Sequence, residues 1–151
     1  MTDARYTHTN LIAHDWRTLS DFYVEVFGCE QTGPLRELSG HWIEALTAIP
    51  RATVEGVHLR LPGHGSDGPT LEVFTYQPQG TGGPDPVNRP GFGHLAFHVG
   101  DVEGALAEVL AHGGSSLGEI VQRDYSELGR LTAVYARDPE GNVLELQNWA
   151  R

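Results

Sequence analysis

HTNLIAHDWRTLSDFYVEVFG, residues 8–28, returns 86 places later as HLAFHVGDVEGALAEVLAHGG, residues 94–114. The shift superposes His8 on His94, Asp15 on Asp101 and Gly28 on Gly114. Two further matches follow in the same order. Pro62 of LRLPG falls on Pro139 of ARDPEG at a shift of 77, and Glu72 of TLEVF falls on Glu145 of VLELQ at a shift of 73. The offset shrinks because the first half carries extra residues ahead of its last two strands. Two halves of like order, each too small to bury a good core alone, predict one domain over 1–151 built of two modules, about 6–78 and 91–149. The Gly/Pro-rich stretch 78–90 between them reads as the linker.

Each half opens with a short apolar strand, 7–13 and 92–99, and then places an Asp before an amphipathic run. In the first run Leu19, Phe22, Tyr23, Val26 and Phe27 recur at helical spacing and Gly28 is a natural stop. In the second, Asp101 is a candidate cap for a helix with Val102, Leu106, Val109 and Leu110 on its apolar face, ended by Gly113 and Gly114. Strands are expected near 54–61, 70–77, 131–137 and 143–148, with weaker ones near 30–35 and 117–123. A short helix over 41–48 is the first half's insertion. Each half is thus β-α-β-β-β.

The 151 residues are enough for a core that buries ~68–70% of the unfolded chain's surface. Hydrophobic residues at 39% and charged residues at 20% fit a globular chain. No apolar run approaches the roughly 20 residues of a membrane helix, and the N-terminal residues carry no apolar signal region, so a cytoplasmic protein is expected. Cys29 is the single cysteine, which excludes an internal disulfide and a cysteine-rich zinc site. Twenty acids against ten arginines and no lysine give a net charge of −10 and disfavour nucleic-acid binding.

Alternate residues of a strand point to opposite faces. His8, Asn10 and Ile12 therefore share a face, as do His94, Ala96 and His98; Glu72, Phe74 and Tyr76; and Glu145 and Gln147. Leu95, Phe97, Leu71, Val73, Leu144 and Leu146 take the other face, where helices can cover them. A carboxylate at the centre of an apolar strand is costly to desolvate unless a cation compensates it, and here the arrangement occurs twice. Taken singly, each residue has an ordinary reading as a hydrogen-bonded strand histidine or an edge-strand charge. Related by a repeat, His8, Glu72, His94 and Glu145 point to one shared divalent metal, with Zn²⁺, Ni²⁺, Fe²⁺ and Mn²⁺ all suited to such donors. His14, His41, His64 and His112 fall in turns or helix ends and read as solvated. His58 and His98 are candidates to line the groove. Tyr135 matches His58 at the 77 shift and reads equally as a hydrogen-bond donor to substrate or as a packing residue.

HTNLIAHDWRTLSDFYVEVFG, LEVFTY, GFGHLAFHVGDVEGALAEVLAHGG and YARDPEGNVLEL together resemble the vicinal oxygen chelate superfamily of glyoxalase I, methylmalonyl-CoA epimerase, extradiol dioxygenases, and fosfomycin- and bleomycin-resistance proteins. The resemblance covers well over half the chain. It implies an α+β fold of paired βαβββ modules forming a cupped mixed sheet around a divalent metal. Carried over by position, it makes His8, Glu72, His94 and Glu145 the ligands, a set similar to bacterial-type glyoxalase I. Epimerases usually have an amide at the position of Glu72, and bleomycin-binding members generally lack the metal residues. The HWIEALTAIP insertion and the LRLPG strand look more like epimerase-like members than like a compact glyoxalase I.

The reaction this implies is proton transfer next to a carbonyl, through a metal-stabilised enediolate, on a small substrate with vicinal oxygens. Glu145 or Glu72 would move the proton, one of them detaching from the metal to do so. Asn10, His58, Arg60, Phe74, His98 and Tyr135 are candidate substrate contacts. Two alternatives stand beside it. Extradiol ring cleavage would use Fe²⁺ with His8, His94 and Glu145. A non-catalytic drug-binding or sequestration protein would use the aromatic surface of Trp16, Trp42, Trp149, Phe74, Phe92 and Tyr76. The resemblance also implies a homodimer, in which the two modules around one metal come from one chain or from two.

Overall fold

The Asp15 carboxylate starts the first helix. It accepts a hydrogen bond from the Arg17 backbone N–H at 3.0 Å and another from the Thr18 hydroxyl at 2.8 Å. The Thr18 bond, then the Arg17 N–H, hold its carboxyl below the usual carboxylate range. Helix α1 (Trp16–Phe27) follows, and Gly28 ends it in the left-handed conformation at φ 69°, which a residue without Cβ adopts freely. Asp101 holds the equivalent place before α3 (Val102–Ala111), but its side chain makes no capping bond.

The computed structural model describes residues 2–83 and 85–151. Position 1, and position 84 within the expected linker, lie outside the described residues. The chain divides into two units, Met1–Thr81 and Gly82–Arg151. The first carries β1 (His8–Ile12), α1, β2 (Glu30–Leu38), α2 (His41–Thr47), β3 (Thr53–Arg60) and β4 (Thr70–Gln77). Its mixed sheet runs β1-β4-β3-β2, with β1 parallel to β4 and the other neighbours antiparallel. The second unit carries β5 (Leu95–His98), α3, β6 (Ser115–Ser116), β7 (Val121–Tyr125), β8 (Gly129–Arg137) and β9 (Val143–Ala150). Its order is β5-β9-β8-β6 with β7 also on β8, and β5 is again parallel to β9. The expected duplication is thus present as one repeated topology.

In both units the apolar strand face is covered by the helix. Leu19, Phe22 and Tyr23 of α1 are buried with Val57, Leu59, Leu71 and Val73, and α1 packs on β3 and β4. Val102 and Val109 of α3 are buried, as are Val134, Ala136, Leu144 and Leu146 of the strands it lies on. Leu110, expected on that apolar face, is instead 48% exposed. Trp16, expected to add aromatic surface, is instead buried at the start of α1. No described helix is long and apolar enough to cross a membrane.

Two local features carry predictions of their own. Cys29, directly after the α1 cap, is buried, and burial pushes its thiol up to about 11. At pH 8 only ~0.1% would be thiolate, so a disulfide-exchange reagent should leave the native protein untouched and titrate one thiol in guanidinium. Rapid native labelling would contradict this. The DPEGN motif is explained by Asp138, which is 2% exposed. Its Oδ1 accepts from the backbone N–H groups of Glu140 and Asn142 at 2.9 and 3.0 Å, and its Oδ2 accepts from the Asn142 amide at 2.8 Å. The motif therefore shapes the turn between β8 and β9. Asp138→Ala leaves those donors unsatisfied and should cost about 3 kcal/mol, read as a lower denaturant midpoint at unchanged slope.

Candidate functional site

Strand register builds the site row by row on the sheet face opposite α1. In the first unit Glu72 of β4 lies between Asn10 of β1 and His58 of β3. In the second, Glu145 of β9 lies between Ala96 of β5 and Tyr135 of β8. The two rows are equivalent under the shifts found in the sequence. His8, one row earlier on β1, reaches forward so that its Nε2 stands 2.9 Å from Glu72 Oε1. His94, just ahead of β5, does the same, with Nε2 2.9 Å from Glu145 Oε2. Each unit by itself thus brings together two of the four residues expected to share one metal, an imidazole and a carboxylate.

The pairs differ in their surroundings. Glu72 is the more enclosed, with its side chain 12% exposed, and it has three polar neighbours. Besides His8, Asn10 Nδ2 approaches Oε1 at 3.5 Å and His58 Nε2 bonds Oε2 at 2.6 Å. Burial pushes His58 below its ordinary value, and the nearby Arg36 and His8 act in the same direction, while Glu72 acts against them. A neutral ring then donates from Nε2 to Glu72 while Nδ1 accepts from the Thr70 hydroxyl at 3.3 Å. Glu145 has only His94 as a polar side-chain partner among the described residues. Tyr135 instead lays its ring 5.0 Å from the His94 ring, centre to centre.

The remaining expected contacts are distributed around these pairs. Arg60, at the row of His8 and Thr70, is in an ion pair with Glu30 of β2. His98 lies on the exposed side of β5 opposite Gln147. Phe74 is buried in an apolar cluster with Ile43, Ala52 and Val54, packed by Leu38, Ile49 and Tyr76. This cluster is where α2 docks. A cleft of about 690 Å³ runs from His8 and Glu72 past Phe74 to Trp42 and Leu46 of α2, with Arg36 on its side. Arg36 was not foreseen. Beta2 bulges between Thr32, opposite His58, and Arg36, opposite Gly56, so four residues span what two span on β3. Those two extra residues leave Thr32 and Arg36 on the same face, but the expected strand, 30–35, ends short of Arg36.

Among the described residues no group of three or more His, Cys, Asp and Glu side chains is set to hold a metal ion. His8 and His58 take opposite oxygens of Glu72. The donor chemistry nonetheless fits a divalent cation. His8 with Glu72, and His94 with Glu145, are the residues that would hold such an ion. Imidazole nitrogen with carboxylate oxygen suits Zn²⁺ and its first-row neighbours.

A model of the Glyoxalase/Bleomycin resistance protein/Dioxygenase superfamily matches residues 5–146. Among solved structures, a glyoxalase family protein from Bacillus cereus is 22% identical, covers 100% of this chain and 99% of its own, and superposes with a TM-score of 0.81. A glyoxalase family protein from Enterococcus faecalis is 26% identical over 97% of this chain and 99% of its own, with a TM-score of 0.62. A glyoxalase/bleomycin resistance protein/dioxygenase family enzyme from Burkholderia phytofirmans is 18% identical over 97% and 100%, with a TM-score of 0.58. No curated protein matches the sequence. With its twin βαβββ units and a family match across nearly its whole length, the chain belongs to the glyoxalase/bleomycin resistance protein/dioxygenase superfamily.

Proposed function

We propose that this chain is a divalent-metal-dependent enzyme of the glyoxalase I/epimerase type, with His8, Glu72, His94 and Glu145 as metal ligands. It would move a proton next to a carbonyl of a small substrate with vicinal oxygens. The observation that carries this reading is the repeated pair, His8–Glu72 and His94–Glu145, at equivalent registers and the same 2.9 Å separation. When bound, the cation supplies Lewis acidity beside the substrate carbonyl. The chain's own residues do the rest. His58 and Asn10 hold Glu72 from two sides, which suits a carboxylate kept in place. Glu145 lacks such bonds and is the better placed to shift and exchange the substrate proton as general base and then acid. The working form in this reading is a homodimer, checked by light scattering.

Metal removal tests it directly. Purified protein should carry about one equivalent of a transition metal per chain. Chelation should lower the unfolding midpoint, because a ligand that binds only the folded state stabilises it. Readdition should restore both midpoint and turnover in a screen of hemithioacetals and acyl-CoA esters. Oxygen uptake with a catechol and Fe²⁺ would instead select ring cleavage. No bound metal together with an unchanged midpoint would select a non-catalytic binding protein.

A further inference from the structure

We propose that the cleft of the Met1–Thr81 unit selects a molecule with an apolar or aromatic body and a second anionic group, remote from its vicinal oxygens, that Arg36 neutralises. The placement of the oxygens at His8 and Glu72 rests on the function proposed above; the anion site does not. From the His8 end, successive rows of the sheet face change from polar to apolar. Glu72, His58 and Asn10 form one row, Phe74, Gly56 and Arg36 the next, and Tyr76, Val54 and Leu38 the last. Gly56 contributes no side chain between Arg36 and Phe74, and both of those residues line the cleft. Trp42 and Leu46 of α2, 55% and 73% exposed, wall the same cleft and leave apolar surface uncovered.

Arg36 is the arginine that lines this cleft. Arg17, Arg60, Arg89 and Arg130 each pair with a carboxylate. Arg36 is half-buried, yet among the described residues no carboxylate lies within ion-pairing distance, and its hydrogen bond is a long one, 3.4 Å, to the Pro34 carbonyl. In a protein with twice as many acids as bases, this leaves a guanidinium with open donors in a cleft. Strand spacing puts its Cα roughly 12 Å from that of Glu72, so the anion belongs at the far end of a compact molecule.

The test uses 4-carboxybenzoylformate, a 2-oxo acid with a carboxylate across the ring, and its 4-methyl ester, which lacks that distal charge. Binding is measured by calorimetry to the full chain, Zn²⁺-loaded and chelated. The diacid should bind about tenfold more tightly than the ester, and Arg36→Gln should reduce that ratio to about twofold or less while Arg36→Lys keeps part of it. Leu46→Glu should weaken both probes. If Arg36→Gln fails to fold, the ratio in the unaltered protein must shrink between roughly 0.02 and 0.5 M salt. A ratio indifferent to Arg36 or to salt, or binding of neither probe, overturns the proposal. If Zn²⁺ adds nothing to either affinity while the Arg36-dependent preference remains, the metal assignment fails and the anion site stands. If Zn²⁺ tightens both probes and the ratio ignores Arg36, the reverse holds.

Discussion

Glu145→Gln should abolish turnover and weaken divalent-metal binding by more than the roughly 10–100-fold that loss of an outer hydrogen-bond partner costs. The substitution keeps size and one oxygen donor but removes the negative charge and the proton-accepting group. Among the described residues Glu145 has no side-chain hydrogen-bonding neighbour besides His94 to hold a glutamine amide in the same pose. Glu72→Gln is the informative contrast. Its amide oxygen can still accept from His58 Nε2, 2.6 Å away in the native protein, so the side chain stays anchored. Metal affinity should fall there too, but measurable turnover should survive, as an amide at this position is usual in the epimerases the sequence resembles. Metal titration with a chromophoric competitor and initial rates on the best substrate read both effects. Full occupancy with retained turnover in Glu145→Gln would remove that residue from the chemistry. Equal losses in both variants would remove the asymmetry argued for the two carboxylates.

The second large effect concerns a residue with no side chain. Gly56 of β3 faces Phe74 of β4, and a Cβ placed on it would run into the Val73 carbonyl and stand 2.5 Å from the Phe74 ring. Backbone on one side and a buried ring on the other leave little to give way. Overpacking of this kind costs ~1–3 kcal/mol, and the two further methyls of valine bring Gly56→Val to the top of that range or beyond. At ~2–4 °C per kcal/mol for a domain of about 150 residues, the unfolding midpoint should drop by ~6 °C or more. Where the chain still folds, Phe74 must swing into the cleft, and binding of apolar probes should weaken. An unchanged midpoint would mean that the strands at this point stand farther apart than described.

Much of this architecture was readable before any coordinates. The helices and most strands are legible through periodicity, and the repeat marks His8, Glu72, His94 and Glu145, which the strand ladders set at equivalent places in the two units although the shifts that relate them differ. What sequence could not give has local causes. His58 reads as one of eight histidines until β3 is set in register against β4, and only then does it stand beside Glu72. Arg36 is missed because β2 runs on past its bulge to Leu38, beyond the stretch 30–35 that reads as a strand. The HWIEALTA segment is legible as a helix, but its docking through Ile43 onto Val54 and Phe74 depends on tertiary packing that no local pattern encodes. DPEGN, a mark of resemblance in the sequence, proves to be a buried aspartate closing a turn.

The apolar wall of the cleft is carried by a seven-residue helix lodged between two strands, whereas the imidazoles and carboxylates are fixed by the ladder itself or by the residue leading into it. Under the function proposed, the apolar wall formed by Trp42 and Leu46 is therefore written in a different stretch of the gene from the metal-binding residues. In that reading, variation confined to residues 41–47 would retune which molecule is admitted while the proposed metal-binding residues keep their positions, making that insert a target for altering selectivity by design or by drift.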